Sequence, residues 1–219
     1  MVYFLLTRIG RLLTFLVLGP KYFKLRGTEH VPRDGALLIV SNHVGGVDPA
    51  LVGAWTPRPV WFMAKIELFE RWYSRWWVTA YHAFPVVRHS ADRSALRRAL
   101  GLLERGQAVV LFPEGHRYED GRLHRAEPGA GFIARHSRAP IVPLAITGTE
   151  HVLGRGRRWL RRAPVSMTFG RPFSLPERNP DGSRVEHQAS ADLLMAKIAE
   201  LLPLEYQGDY RRPASPQAV

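Results

Sequence analysis

ALLIVSNHVGGVDPALVGAW, residues 36–55, joins a short apolar run to a second apolar segment through a turn that carries a histidine and an aspartate. The run at 36–40 is typical of a buried strand, and the segment from residue 50 is typical of the start of a helix. On a continuous helix His43 and Asp48 would lie on different faces, because they are five steps of about 100° apart. They can meet only if the chain turns between them, and Gly45-Gly46 favours such a turn. An imidazole held by a carboxylate is the simplest general base for deprotonating a hydroxyl.

The same stretch has a purely structural interpretation. Asp48 and Pro49 are a typical helix start, with Asp48 as the N-cap and Pro49 in the first helical position. His43 would then be an ordinary loop histidine. The two interpretations are compatible, since Asp48 could cap the helix and orient His43 at once.

Short apolar runs alternate with segments of helical periodicity along the rest of the chain. The pattern predicts strands at 21–26, 36–40, 60–64, 83–87, 108–112, 141–146 and 165–169, and helices at 2–18, from 50, and at 65–80, 91–105, 129–136 and 190–202. This alternation indicates an α/β fold, a single domain with a largely parallel central sheet flanked by helices. We expect an N-terminal helix and connector at 1–24, the main domain at 25–205 and a loose C-terminal tail at 206–219.

The charge of the chain points to an anionic partner. There are 31 Lys and Arg residues against 19 Asp and Glu, which gives a net charge of +12. Nucleic acid, anionic membrane lipid and a phosphorylated substrate all fit this surplus. The sequence contains no cysteine, which excludes disulfides, thiolate metal sites and a cysteine nucleophile.

The N-terminal segment, residues 2–18, is strongly apolar but interrupted by Arg8 and Arg11. Its longest uncharged stretch is shorter than the roughly 20 residues that a membrane span needs, and a signal peptide would carry its charge before the apolar region. The pattern predicts an amphipathic helix that lies in a membrane interface. The alternative is a helix packed on the core of the protein itself.

Residues 65–80, KIELFERWYSRWWVTA, concentrate aromatic side chains at near-helical spacing. We interpret this segment as a core-facing amphipathic helix. A membrane-facing role for these aromatic residues is the alternative; they are Trp72, Tyr73, Trp76 and Trp77.

Polar or proline-rich clusters flank three further predicted strands. Ligands of open α/β sheets sit at the carboxyl ends of strands, so we expect the charged members of these clusters to surround one cleft with His43 and Asp48. The charged members are Arg88, Glu114 and Arg117.

The order of these blocks resembles the glycerolipid acyltransferase family, which includes the 1-acyl-glycerol-3-phosphate acyltransferases. The blocks are Asn42-His43 with Asp48, FPVVR at 84–88, FPEGHR at 112–117 and PIVPL at 140–144. Four ordered blocks within residues 25–170 are far more specific than an isolated His-x4-Asp pattern. The segment MAKIELF at 63–69 is also similar to the family's link between its first two blocks.

The resemblance implies an O-acyltransferase of phospholipid biosynthesis. It would move a fatty acyl group from acyl-CoA or acyl carrier protein to the free hydroxyl of 1-acyl-glycerol-3-phosphate, giving phosphatidic acid. No covalent acyl-enzyme, no metal and no cofactor other than the acyl donor are implied. By this resemblance, His43 would be the base and Asp48 the acid that orients it. The residues that would bind the acceptor phosphate are Arg88, Glu114, Gly115, Arg117 and Lys65. The residues that would line the acyl-donor side are Pro140, Val142 and Pro143.

Three positions depart from the family's usual pattern. His116 stands where a threonine is usual, Tyr118 where a serine is common, and His82 where a glycine is frequent. These departures concern substrate preference more than the reaction.

The expected partners are an anionic membrane surface, a lysophospholipid acceptor and acyl-CoA or acyl carrier protein. We expect a peripheral or monotopic protein on the cytoplasmic side of the cell membrane, held by the N-terminal helix and by the arginine-rich stretch GRGRRWLRR at 154–162. The acceptor could instead be glycerol-3-phosphate, another lysophospholipid, an ornithine lipid or a glycolipid. A basic nucleic-acid-binding protein is the alternative of another class, but it leaves His43 and Asp48 unexplained.

Overall fold

Seven strands form one mixed sheet in this computed structural model, which describes residues 2–87, 92–118, 120–152, 160–179 and 181–211. The strands are β1 (Phe23–Arg26), β2 (Leu37–Ser41), β3 (Val60–Lys65), β4 (Ala83–Val86), β5 (Ala108–Leu111), β6 (Ile141–Thr147) and β7 (Val165–Phe169). Their spatial order is β1-β7-β6-β2-β5-β3-β4. Only the β6–β7 pair among these strands is antiparallel, so the predicted α/β fold with a largely parallel sheet is confirmed.

Helices cover both faces of the sheet. They are α1 (Val2–Val17), α2 (Asp48–Trp55), α3 (Trp72–Ala80), α4 (Arg93–Glu104), α5 (Pro128–Ser137), α6 (Thr149–Val152) and α7 (His187–Ala199). Helices α4, α5 and α7 share one apolar cluster with the sheet, and α1 and α2 share the other. The chain therefore has three layers, with the sheet in the middle.

The central strand β2 explains why this sheet is buried on both faces. All five of its residues are buried. Side chains alternate between the faces of a strand, so Leu38 and Val40 enter the cluster under α4, α5 and α7, while Leu37 and Ile39 enter the cluster under α1 and α2. An unbroken apolar run is what a central parallel strand requires. The residues that follow β2 are consequently fixed on a rigid support.

The prediction for residues 65–80 is wrong in two respects. Strand β3 continues to Lys65, and a 3₁₀ turn at Ile66–Phe69 precedes the short helix α3. Of the nine residues of α3, all of which the structure describes, none is buried, and Trp72 is 82% exposed. The aromatic side chains therefore do not face the core. Periodicity alone could not distinguish a core-facing from an outward-facing aromatic stripe.

The C-terminal tail, expected to be loose from residue 206, packs on the domain as far as residue 211. Two 3₁₀ turns, Leu204–Tyr206 and Gly208–Tyr210, bracket Leu123, whose N–H donates to Tyr206 and whose carbonyl accepts from Asp209. Backbone pairing of this kind gives no periodic signal in the sequence, which is why the segment was predicted to be loose.

Helix α1 packs on the protein through Tyr3, Leu6, Thr7 and Thr14 and turns most of its other apolar side chains outward. Thr7 and Thr14 are buried, and the Thr14 hydroxyl accepts a hydrogen bond from the Trp55 indole at the end of α2. The apolar residues on the other side are exposed by 40 to 63%; they are Val2, Phe4, Leu5, Ile9, Leu12, Leu13, Phe15 and Leu16. Within the described residues, no helix is both long and apolar enough to cross a bilayer.

Candidate active site

His43 and Asp48 meet in the loop between β2 and α2. Nδ1 of His43 lies 2.8 Å from Oδ2 of Asp48, and the Asp48 side chain has no exposed surface. The same carboxylate oxygen accepts the backbone N–H groups of Val44 and Gly45, each at 2.8 Å. The carboxylate fixes the ring with Nδ1 protonated, which leaves Nε2 as the nitrogen available to a substrate. This is the geometry of a positioned general base.

The helix-start interpretation of Asp48 is wrong in two respects: the residue that occupies the N-cap position and the N–H groups that the Asp48 carboxylate binds. Val47 occupies the N-cap position, and Asp48 and Pro49 are the first two residues of α2. The Asp48 carboxylate turns back to the N–H groups of the preceding loop instead of capping the N–H groups of the helix that follows. The carboxylate therefore stabilises the turn of the loop that contains His43.

Thr149 completes the hydrogen bonding of Asp48, and sequence reasoning missed it. Its hydroxyl donates to Oδ1 of Asp48, and the residue is completely buried at the start of α6, two positions after β6. A Cβ on Gly45 would lie 2.6 Å from the backbone of Thr149, so only glycine fits there. The close approach of these two loops explains the glycine in the His43 loop.

Asn42 is a second residue that the sequence analysis did not assign. Its side-chain amide donates to the carbonyl of Ile146 and accepts from the N–H of the same residue, both at 2.8 Å. Asn42 is fully buried and extends the pairing between β2 and β6 beyond the end of β2. Its position beside His43 in a buried run was the only signal available in the sequence.

Phe112 and Glu114, which follow the neighbouring strand β5, hold His43 from the other side. The Phe112 ring stacks on the His43 ring with a centroid distance of 4.3 Å. Oε2 of Glu114 accepts the backbone N–H of His43 at 3.2 Å, and Oε1 accepts that of His124 at 3.0 Å. The loops after β2 and β5 are thus joined by one carboxyl group.

Glu114 was predicted to contact the substrate phosphate, but its position favours another role. The residue is 2% exposed, does not line the cleft, and has each carboxylate oxygen bonded to a backbone N–H. Burial raises its pKa to about 7, although the hydrogen bonds from His124 and His43 lower it. We conclude that Glu114 positions the loop.

A cleft of about 1090 Å³ opens beside His43 and is lined mainly by apolar side chains. Residues of α2, α3, α4 and α5 and the residue after α3 line it. Its apolar residues include Ala50, Trp77, Tyr81, Leu96, Phe132 and Ile133. A mostly apolar cleft with a few polar groups at one point is suited to a ligand with a long hydrocarbon chain.

Three of the predicted phosphate-binding residues line this cleft: Lys65, Gly115 and Arg117. The Lys65 ammonium also lies 3.1 Å from Glu67, and both side chains are about half exposed. Gly115 has a φ of 74°, in the left-handed region that favours glycine. Arg88 lies outside the described residues, as do residues 154–159 of the arginine-rich stretch.

The structure does not bring Pro140, Val142 and Pro143 to the cleft. Val142 is completely buried in the sheet opposite Ile39, and Pro143 is paired with Val40. Pro140 precedes β6, at the edge of the sheet opposite to the one that carries His43. Their assignment to the acyl-donor side gains no support from this cleft and stays a prediction; Pro140 lies at the far edge because a strand parallel to β2 begins there.

The α/β fold with a His–Asp pair beside an apolar cleft defines a candidate enzyme site, and comparison with known proteins gives the class of enzyme. The family model described as Acyltransferase matches residues 22–147. A 1-acyl-sn-glycerol-3-phosphate acyltransferase of Bacillus subtilis is 31% identical over 180 residues, which are 81% of this chain and 87% of that protein. This chain belongs to the acyltransferase family.

Two further proteins are similar. An enzyme of the same name from Streptococcus pneumoniae is 29% identical over 153 residues, 68% of this chain, and the match spans only 55% of that longer protein. The crystal structure of the 1-acyl-sn-glycerophosphate (LPA) acyltransferase PlsC from Thermotoga maritima matches with a TM-score of 0.68 and 22% identity, covering 90% of this chain and 78% of that one. This likeness establishes the fold.

Proposed function

We propose that the protein is a 1-acyl-sn-glycerol-3-phosphate O-acyltransferase, which acylates the free hydroxyl of lysophosphatidic acid to give phosphatidic acid. The observation that carries the proposal is the Asp48-held imidazole of His43 at the edge of an apolar cleft that Lys65 and Arg117 also line. The names of the Bacillus and Streptococcus relatives support the same reaction. The acyl donor is a thioester, either acyl-CoA or acyl carrier protein.

The first step is removal of the acceptor proton. Nε2 of His43 takes the proton of the acceptor hydroxyl as the oxygen attacks the thioester carbonyl. Asp48, already bonded to Nδ1, stabilises the imidazolium that forms. The stacked Phe112 ring and the Glu114 bond to the His43 backbone limit the motion of the imidazole. The base is held in place before substrate binds, which lowers the cost of reaching the reactive geometry.

The second step is collapse of the tetrahedral intermediate. The new carbon–oxygen bond is kept, the carbon–sulfur bond breaks, and the thiolate leaves. The imidazolium of His43 returns its proton to this sulfur, so the enzyme ends neutral and the donor ends as a free thiol. No acyl-enzyme forms, in agreement with a sequence that has no cysteine.

Basic groups at the cleft bind the acceptor phosphate in this proposal. Arg117 supplies a fork of N–H donors suited to phosphate oxygens, and Lys65 supplies a second positive charge. The backbone at Gly115 lines the same part of the cleft, and Arg88 is proposed as a further ligand from the sequence resemblance. The apolar walls hold the hydrocarbon chain of a lipid substrate.

Helix α1 attaches the enzyme to the membrane that contains its acceptor. Its buried side is bonded to α2, and its exposed side is mainly apolar, interrupted by Arg8 and Arg11. In water such a surface is unfavourable, whereas at a bilayer it is buried. The basic surplus of the chain adds attraction to anionic lipids. We propose the cytoplasmic leaflet of the cell membrane as this surface.

An acyl-transfer assay with a panel of acceptors tests the proposal. Purified enzyme is incubated with acyl-CoA or acyl carrier protein and with lysophosphatidic acid, glycerol-3-phosphate, or a lysolipid without phosphate. We expect phosphatidic acid as the main product by mass spectrometry. If another acceptor is acylated in preference to lysophosphatidic acid, the proposed mechanism stands and the proposed acceptor is replaced by that one. An oligonucleotide complex without acyl transfer would support the nucleic-acid alternative.

A further inference from the structure

The outer surface of α3 and of the turn before it is a continuous patch of exposed apolar and aromatic side chains. We call it the α3 patch; its exposed members are Ile66, Leu68, Trp72, Tyr73, Trp76 and Trp77. Trp72, at 82% exposure, is the most exposed of them. Large apolar patches of this kind mark interaction sites on folded proteins. The mechanism proposed above does not use Trp72 or Trp76.

The patch is continuous with the apolar side of α1. Val2, at the start of α1, lines a shallow groove together with Trp72 and Trp76. Tyr3 lies against Tyr81 with a ring-centroid distance of 5.7 Å, and Tyr81 stacks on Trp77 at 6.3 Å. An aromatic path thus joins the helix that faces the bilayer in our proposal to the last turn of α3. One flat lipid surface could contact both.

The patch also borders the candidate active site. Leu68 and Trp77 are exposed at the surface and line the cleft at the same time. The chain of a lipid acceptor that passes over these two side chains would move from the surface to the cleft without crossing water. This step rests on the proposed function, since it requires an acceptor that resides in a membrane.

The chemistry of the patch fits the headgroup region of a bilayer better than a protein partner. Trp and Tyr concentrate at membrane–water interfaces, where an apolar ring and a polar N–H or O–H are both accommodated. Two cations are close by: the Arg71 guanidinium donates to the Tyr73 hydroxyl at 2.8 Å, and Arg75 lines the groove with Trp72 and Trp76. Arginines at this level can bind lipid phosphates.

We propose that the α3 patch is a second membrane-contact surface, which inserts at the level of the lipid headgroups beside α1 and forms the rim across which lipid acceptors enter the cleft. Trp72 and Trp76 are its membrane anchors. Trp77 and Leu68 form the boundary between bilayer and cleft.

Site-directed fluorescence tests this proposal, because the chain has no native cysteine. Trp72→Cys and Trp76→Cys are each labelled with an environment-sensitive fluorophore and mixed with vesicles that contain phosphatidylglycerol and lipids brominated at shallow or deep positions. Leu12→Cys on α1 reports the helix already proposed to bind. Glu104→Cys on α4 is the control, since α4 covers the opposite face of the sheet.

We expect shallow brominated lipids to quench the labels at 72 and 76 at least twofold more than the label at 104. Labels at 72 and 76 that behave like the one at 104, while the label at 12 is quenched, would overturn the proposal and leave attachment through α1 intact. If the emission of the labels at 72 or 76 changes when the protein concentration is raised in the absence of vesicles, the patch is a self-association surface and the proposal is overturned. Acylation of lysophosphatidic acid in detergent by each labelled protein reports the proposed function separately.

A kinetic arm uses Trp72→Gln together with Trp76→Gln. We expect the KM for lysophosphatidic acid in vesicles to rise at least fivefold, while kcat with a short-chain, monomeric acceptor stays unchanged. Leu204→Gln, a charge-neutral change at an apolar residue that is 58% exposed and outside the α3 patch, is the control. A KM in vesicles for the double variant that is no higher than that of Leu204→Gln would contradict an entry role for the patch.

Discussion

The Thr149 hydroxyl donates a hydrogen bond to Oδ1 of Asp48, the acid that orients His43. This contact joins the loop after β2 to the residue that follows the β6 strand by two positions, 101 positions away in the chain. Both side chains are completely buried. The orientation of the base therefore depends on the packing of two adjacent strands as well as on the His43 loop itself.

Replacing Thr149 by valine tests this dependence. Valine keeps the shape but removes the donor, so Oδ1 of Asp48 loses a buried partner at a cost of about 1–3 kcal/mol. We expect Thr149→Val to lower kcat on the order of 10-fold and to lower stability to urea. Thr149→Ser, which keeps the hydroxyl, is the matched control. A valine variant with the kinetics and stability of the serine variant would contradict this role.

The buried carboxyl group of Glu114 predicts a pH-dependent contribution to stability. Its pKa of about 7 in the folded protein lies above the usual value near 4.5. Between these values the unfolded chain releases the proton while the folded chain retains it, so the free energy of unfolding falls as pH rises. The decrease amounts to about 3 kcal/mol and is complete slightly above pH 7.

Glu114→Gln removes this titration. We expect wild type to lose stability relative to Glu114→Gln between pH 4.5 and pH 7, and the difference to stay constant at higher pH. Urea unfolding of both proteins at pH 5, 6, 7 and 8 measures it, and titrations common to the two proteins cancel. Parallel stability curves over the whole range would show that Glu114 keeps an ordinary pKa.

The family resemblance implies a frequent glycine at the position of His82, and the backbone there favours glycine. Its φ is 58°, in the left-handed region, and its ring is stacked between Tyr3 at 4.2 Å and Trp61 at 4.6 Å. His82→Gly and His82→Ala both lose the stacking, but only alanine retains the backbone strain of about 1 kcal/mol. We expect the glycine variant to be the more stable of the two by about that amount. Equal midpoints in thermal unfolding would argue against strain at this position.

The strands and the position of the site could be predicted because their signals are local. The apolar run at 36–40 identifies a buried strand, and clusters after successive strands must meet at one edge of a parallel sheet. Asn42 and Thr149 could not be assigned, since their partners are more than 100 residues away. The orientation of α3 was also beyond the sequence, because an aromatic stripe has the same period whether it faces a core or a lipid surface.

Arg117 predicts a loss that depends on the acceptor. Removing its guanidinium costs one charged hydrogen bond to phosphate, about 1.5–3 kcal/mol. We expect Arg117→Met to raise the KM for lysophosphatidic acid roughly 10-fold or more and to leave any slow acylation of monoacylglycerol unchanged. Arg125→Met, an exposed arginine that does not line the cleft, is the control. Similar losses with both acceptors would mean that Arg117 acts on the fold and not on the phosphate.

The most direct test of the mechanism is the kcat of His43→Ala for acyl transfer to lysophosphatidic acid. Removing the base should lower kcat on the order of 100-fold or more, because proton removal from the hydroxyl then falls to water. The variant should remain folded, since Asp48 keeps its bonds to Val44, Gly45 and Thr149. A folded His43→Ala protein that transfers acyl groups within a few-fold of the wild-type rate would contradict His43 as the catalytic base.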